Sequence, residues 1–185
     1  MALRQILTEP NKILREKSLK VNQVDKDLQK LMDDMLETMY AAPGIGLAAI
    51  QVGVPKRVIV LDIGWRDKPE NENDEKQKER KNPMYFVNPE IIEKSTNNFT
   101  YEEGCLSVPG QFAEIDRPDK CRIKYLDYHG QLQELIAEGM LATCIQHEMD
   151  HLEGILFIDY LSKLKKSMIV KKLIKQKEQI DRIVI

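Results

Sequence analysis

Two periods of apolar residues run through this chain, and the switches between them mark its elements. After Asp25, residues Leu28, Leu31, Met32, Met35, Leu36 and Met39 recur at spacings of three and four. That rhythm places them on one face of a helix with Asp25 as its N-cap and the methionines as core. Pro43 and Gly44 in AAPG end it. The runs RVIVLDI (57–63), YFVNPEII (85–92) and CRIKYLDY (121–128) are short and rich in β-branched or aromatic residues. They predict strands, with His129-Gly130 as a turn before QLQELIA. A helical stripe returns with Met140, Thr143, Cys144, His147, Glu148 and His151, and again, more loosely, over 162–183 with Leu164, Met168, Ile169, Leu173 and Ile180. Helix first, then strands, then helices predicts an α+β fold: one domain over 1–185, mixed or antiparallel strands around a central helix, and a C-terminal helix.

Composition narrows the function classes. The 185 residues are 42% hydrophobic, enough to bury a core in one domain. Lys+Arg (28) and Asp+Glu (30) nearly cancel, so net charge gives no reason to expect DNA as a partner. No apolar run approaches membrane-spanning length, and MALRQILTEPNKILREK has neither an apolar core nor a small-residue cleavage site, which predicts a cytoplasmic protein without membrane attachment. Three widely spaced cysteines, Cys105, Cys121 and Cys144, do not suggest a disulfide framework. Residues 66–83 carry six basic and six acidic side chains and no apolar one besides proline. They read as a solvated loop inserted between two strands.

The chemistry concentrates in QHEMDHLEG (146–154). Two of the three histidines, His147 and His151, stand four positions apart around Glu148, and on a helix this spacing aims both imidazoles at one point. Two imidazoles hold a metal poorly, so a third ligand must come from elsewhere. The longer pattern H-E-x-x-H-x-x-G-x-x-H matches as far as Gly154 and fails at Phe157. His129 lies in a predicted turn, Glu153 is wrongly phased, and Glu178 belongs to a highly charged terminal segment. Cys105, in EEGCLSVPG (102–110), is a better candidate than any of these. Gly104 removes bulk just before the thiol, and Pro109-Gly110 is expected to end the segment. Cys/His/His with an open fourth position is the layout of a catalytic rather than a structural site. A third stretch, GIGLAAIQVG (44–53), offers small residues at Gly44, Gly46, Ala48 and Ala49 for close approach to whatever occupies the pocket, and a neutral amide donor at Gln51. Cys121 and Cys144 read as core thiols, with Cys144 near the wall of the site. Ile45, Leu106 and the Cys144 side of the helix would form an apolar slot.

GIGLAAIQ (44–51), EGCLS (103–107) and QHEMDH (146–151), in this order, resemble the three signature motifs of the peptide deformylases. The resemblance implies an enzyme that removes the formyl group from the N-terminal formyl-methionine of newly made polypeptides and releases formate. It implies Cys105, His147 and His151 as metal ligands and Glu148 as the acid/base. Gln51 and the backbone N–H of Leu106 would bind the formyl oxygen, and Gly44, Ile45, Gly46, Gly104 and Cys144 would line the substrate pocket. The implied cofactor is one divalent ion, Fe²⁺ in the cell, with Zn²⁺, Ni²⁺ or Co²⁺ able to substitute. Three protein ligands would lower the pKa of a bound water to about 7, so that hydroxide attacks the formyl carbon while Glu148 carries the proton to the leaving amine. The lysines of 162–183 suggest a basic helix drawn to the phosphate-rich surface of the ribosome, where nascent chains emerge. Two other classes fit parts of the pattern: a zinc endopeptidase using the same H-E-x-x-H, and a non-enzymatic Cys/His metal or redox-sensing module. Neither accounts for Gln51 and the glycine run.

Overall fold

A computed structural model describes residues 2–64 and 81–183, with side chains through residue 179. The charged segment therefore lies outside the described residues except for 81–83. The first predicted helix is α1 (Lys26–Ala41), and Asp25 caps it by accepting from the Leu28 N–H at 2.8 Å, a contact that stabilises a helix by about 1 kcal/mol. Its buried face is the one expected from the spacing, Leu28, Leu31, Met32, Met35 and Met39. The three predicted strands are β2 (Val58–Leu61), β3 (Met84–Lys94) and β6 (Lys120–Leu126). With β1 (Gly46–Ala48) and β7 (Leu132–Glu138) they form an antiparallel sheet in the order β1-β2-β3-β6-β7. Val58 faces Val87 and Val87 faces Leu126 across it, so aliphatic residues pack side by side at its centre.

A separate antiparallel hairpin, β4 (Asn98–Cys105) with β5 (Val108–Pro118), was not visible in the periodicity. Its inward positions explain why. Glu103 and Arg117 are buried there, so the apolar/polar alternation that announces a strand is broken where it would matter. The expectation that Pro109-Gly110 ends the segment is corrected: both lie within β5, with Gly110 taking the positive φ of 66° that the strand requires there. The pairing shifts register between Gly104 and Cys105, and Cys105 closes the hairpin opposite Val108.

Helix α2 (Gly139–Leu152) carries the H-E-x-x-H stripe and lies between the sheet and the hairpin. One side packs through Ile145 and Leu152 into a core with Ile50, Ile59, Phe86 and Ile123; α1 covers a second core with Leu47, Val58 and Val60. Helix α3 (Lys163–Ile183) follows a short 3-10 turn (Phe157–Tyr160) and packs on the hairpin side. Its stripe is rotated from the expected one. Leu173 is buried and Ile169 and Val170 pack beside it, but Leu164 and Met168 are largely exposed. Ile180, the last member of the expected stripe, lies outside the residues whose side chains are described. No helix among the described residues is long and apolar enough to cross a membrane.

Candidate metal centre and active site

Three elements deliver the site. The single-turn spacing of α2 sets His147 and His151 edge to face, with ring centroids 5.1 Å apart. The end of β4 brings Cys105 to them: its Sγ is 3.2 Å from His151 Nε2, and one ligand atom from each of Cys105, His147 and His151 falls within 4.8 Å of the others. A thiol and two imidazoles at these separations fit a divalent first-row ion, with no fourth protein ligand in the cluster among the described residues. Phe157, which broke the longer histidine pattern, stacks on His147 instead, centroid to centroid 6.3 Å. His129 is exposed in its turn, and Glu153 pairs with Arg57 and Lys17.

The electrostatics suit a cation. Burial pushes His147 towards its neutral form, but hydrogen bonds to Cys105 and Glu103 outweigh it and raise its pKa well above the ordinary value. Burial and the charge of His147 push His151 the other way. Burial raises the Glu148 carboxyl to about 7, with His147 opposing and Glu103 adding to the shift. Glu148 Oε2 is buried and has no hydrogen-bond partner among the described residues. An uncommitted carboxylate with a pKa near neutrality, one residue from a ligand, can both take and return a proton. The Cys144 thiol is pushed up to about 12, mainly by burial, which makes it a wall group and not a nucleophile.

Gln51, from the short 3-10 turn Ala49–Val52, is held in one orientation. Its Oε1 accepts from the Ala48 N–H at 2.8 Å, so Nε2 must face the site, where it donates to Ser107 Oγ at 3.0 Å and lies 3.5 Å from Cys105 Sγ. Ser107 is a site residue that the sequence reading did not single out; only its place two positions after Cys105 signalled it. Glu103, two positions before Cys105, was missed in the same way.

A cavity of about 530 Å³ opens over this floor, lined by Gly44, Ile45, Gly46, Gln51, Gly104, Cys105, Leu106, Cys144, His147 and Glu148. Of the residues expected in the site, His151 lies buried beneath the cavity, and Ala48 and Ala49, expected to allow close approach to its contents, are instead fully buried in the two cores and do not line it. The role expected of the glycines changes, however. A Cβ on Gly44 would come within 2.7 Å of Leu106 Cδ1, one on Gly104 within 2.6 Å of the Phe112 ring, and one on Gly46 would collide with Glu148 Oε1. These glycines make room for the protein's own side chains.

An α+β chain that gathers a thiol, two imidazoles and an uncommitted carboxylate on and just beneath the floor of one cavity has the make-up of a metalloenzyme. The family model for polypeptide deformylase matches residues 3–167. The peptide deformylase of Pelagibacter ubique is 60% identical over 185 residues, covering 100% of both chains, and that of Maricaulis maris is 59% identical over 182 residues, 98% of each. The crystal structure of peptide deformylase from Ehrlichia chaffeensis superposes with a TM-score of 0.86 at 43% identity, covering 97% of this chain and 99% of that one. This chain belongs to the peptide deformylase family.

Proposed function

We propose that this chain is a metal-dependent deformylase, removing the N-formyl group from the N-terminal formyl-methionine of newly synthesised polypeptides and releasing formate. The observation that carries the mechanism is Glu148, buried and uncommitted beside the convergent Cys105, His147 and His151. Those three residues hold the ion. When bound, a divalent metal, Fe²⁺ in the cell with Zn²⁺, Ni²⁺ or Co²⁺ as substitutes, supplies Lewis acidity that acidifies water and polarises the formyl carbonyl. Glu148 accepts the proton of the attacking water and passes it to the α-amino leaving group. Gln51 Nε2, already facing Cys105, donates to the formyl oxygen together with the backbone N–H of Leu106, stabilising the charge that develops there. Gly44, Ile45, Gly46, Gly104 and Cys144 form the walls, Ile45, Leu106 and Cys144 meeting the methionine side chain. Residues 1–185 work as one catalytic unit in the cytoplasm, and the basic α3 meets the ribosome surface.

The test is formate release from a formyl-methionyl peptide under argon, with metal analysis of each variant. Cys105→Ala loses both stoichiometric metal and activity. Glu148→Ala keeps the metal and loses at least about 100-fold in turnover. A Cys105→Ala protein retaining a full equivalent of metal would remove the thiol from the ligand set, and wild-type protein that cleaves an unformylated peptide instead would favour an endopeptidase.

A further inference from the structure

Behind the ligands runs a second set of contacts in which every member is charged. His147 Nδ1 lies 2.7 Å from Glu103 Oε2, leaving Nε2 as the ring nitrogen available to an ion. Glu103 also receives a two-pronged contact from Arg117, Nε to Oε1 at 2.5 Å and Nη2 to Oε2 at 3.0 Å. The remaining arm of Arg117, Nη1, donates to Asp150 Oδ2 at 2.8 Å. Glu103 and Arg117 are each 4% exposed. Asp150 sits at the solvent-facing end, where Tyr160 also donates to it.

The placement of these residues gives the chain of contacts its meaning. Glu103 is on β4, on the same side of the strand as Cys105; Arg117 is on β5; Asp150 is on α2, one turn after His147 and next to His151. The thiol and the imidazoles come from different elements, so the distance between them is not determined by either element alone. The Glu103–Arg117–Asp150 chain spans that gap, and the Glu103–His147 bond turns one imidazole into place. His151, by contrast, has no partner for Nδ1 among the described residues; it is buried and contacts the Cys105 thiol through Nε2.

We propose that Glu103, Arg117 and Asp150 are positioning residues that join the Cys105 strand to the histidine helix and present His147 to the metal through Nε2. The proposal rests on Cys105, His147 and His151 being the ligands. A plain structural ion pair is the competing account. It is weak here, because the desolvation cost of burying a carboxylate and a guanidinium largely cancels their attraction, and apolar residues of similar size would stabilise the hairpin as well. What apolar residues could not do is fix a ring nitrogen and the spacing of a ligand set.

The experiment uses the cobalt-loaded enzyme and two readouts other than turnover: the rate of metal loss to excess chelator, and the ligand-field absorption of the bound cobalt. Glu103→Gln keeps the shape but puts an amide where His147 and Arg117 need a carboxylate. It should lose metal about 10-fold faster or more, with shifted absorption bands. Arg117→Lys cannot reproduce the fork that reaches both Glu103 and Asp150 and should fall between Glu103→Gln and wild type. Asp150→Asn should have the smallest effect in the same direction. A folded Glu103→Gln protein with wild-type metal loss and an unchanged spectrum overturns the proposal. Should that variant not fold, wild-type metal loss in both Arg117→Lys and Asp150→Asn overturns it equally. Failure of the underlying ligand assignment looks different: the wild-type protein would hold less than one equivalent, or Cys105→Ala would still hold one.

Discussion

Glu148 and Gly46 together show how single residues decide this site. The glutamate is legible in the sequence because it falls inside H-E-x-x-H, but the room it occupies is supplied from another part of the chain. A Cβ on Gly46 would meet Glu148 Oε1 and Cδ and also Leu61 Cδ2, 2.7 Å away. Leu61 is fully buried and cannot retreat, so the carboxylate must move. Gly46→Ala is therefore expected to retain metal while turnover falls about 100-fold, the scale of loss that a misplacement of about 1 Å produces. Gly139→Ala serves as the comparison, since among the described residues no atom beyond its chain neighbours and the backbone of its own helix lies within 4 Å of its added methyl and it does not line the cavity, although its positive φ adds backbone strain. Metal content and kcat measured on both variants decide it: equal losses would mean that the Gly46 effect is not the displacement of Glu148. The glycine run was visible in the sequence, but what it accommodates was not, because a list of small residues does not say which neighbour fills the space they leave.

At the scale of elements, legibility followed the strength of the repeat. Helix α1 and the stripe of α2 obey a 3.6-residue period, and both formed where the spacing placed them. The β4–β5 hairpin was hidden because, beside Val108 and Ile115, its buried positions include Glu103 and Arg117, charged residues whose burial makes sense only once His147 and Asp150 stand opposite. The attachment of α3 was hidden for a related reason: part of it is ionic. Asp159 binds Arg15 Nη1 at 2.5 Å, the Leu156 N–H at 2.8 Å and Lys166 of α3 at 2.5 Å. Burial pushes the Asp159 carboxyl up, but Lys166, the Leu156 N–H and Arg15 together hold it below its ordinary 3.8. A carboxyl depressed in the folded state contributes stability that is present above its unfolded pKa and lost as pH falls through the folded value. Asp159→Asn should thus lower the unfolding midpoint by a constant amount between about pH 5 and 7, with the difference from wild type shrinking below about pH 4. A gap that stays the same width down to the acid limit of folding would show that the aspartate acts through its shape and not its charge.

Taken as a whole, the molecule has almost no net charge, 28 basic against 30 acidic residues, yet α3 concentrates its lysines. Lys163, Lys165, Lys171, Lys172, Lys175 and Lys177 are exposed, whereas Lys166 is taken up by Asp159. The buried face of the helix, centred on Leu173, attaches it to the hairpin side of the fold and leaves the other lysines to solvent. A near-neutral enzyme has no long-range attraction to a phosphate surface, but a local basic strip attracts one within about a Debye length, roughly 8 Å at physiological salt. That would favour repeated, brief encounters with the ribosome, where formylated chains emerge, over tight residence. Reversing Lys165, Lys172 and Lys175 to Glu changes the charge of this strip by six without touching the buried Leu173 or the Lys166–Asp159 pair. Co-sedimentation with ribosomes at low salt should then fall to the level that wild-type protein shows at high salt, while formate release from a small formyl-peptide stays within about twofold, since no reversed residue lines the cavity. Co-sedimentation that survives both the charge reversal and high salt would leave α3 a packing role only. A parallel loss of small-peptide turnover would mean instead that the helix supports the hairpin beneath it, and with it Cys105.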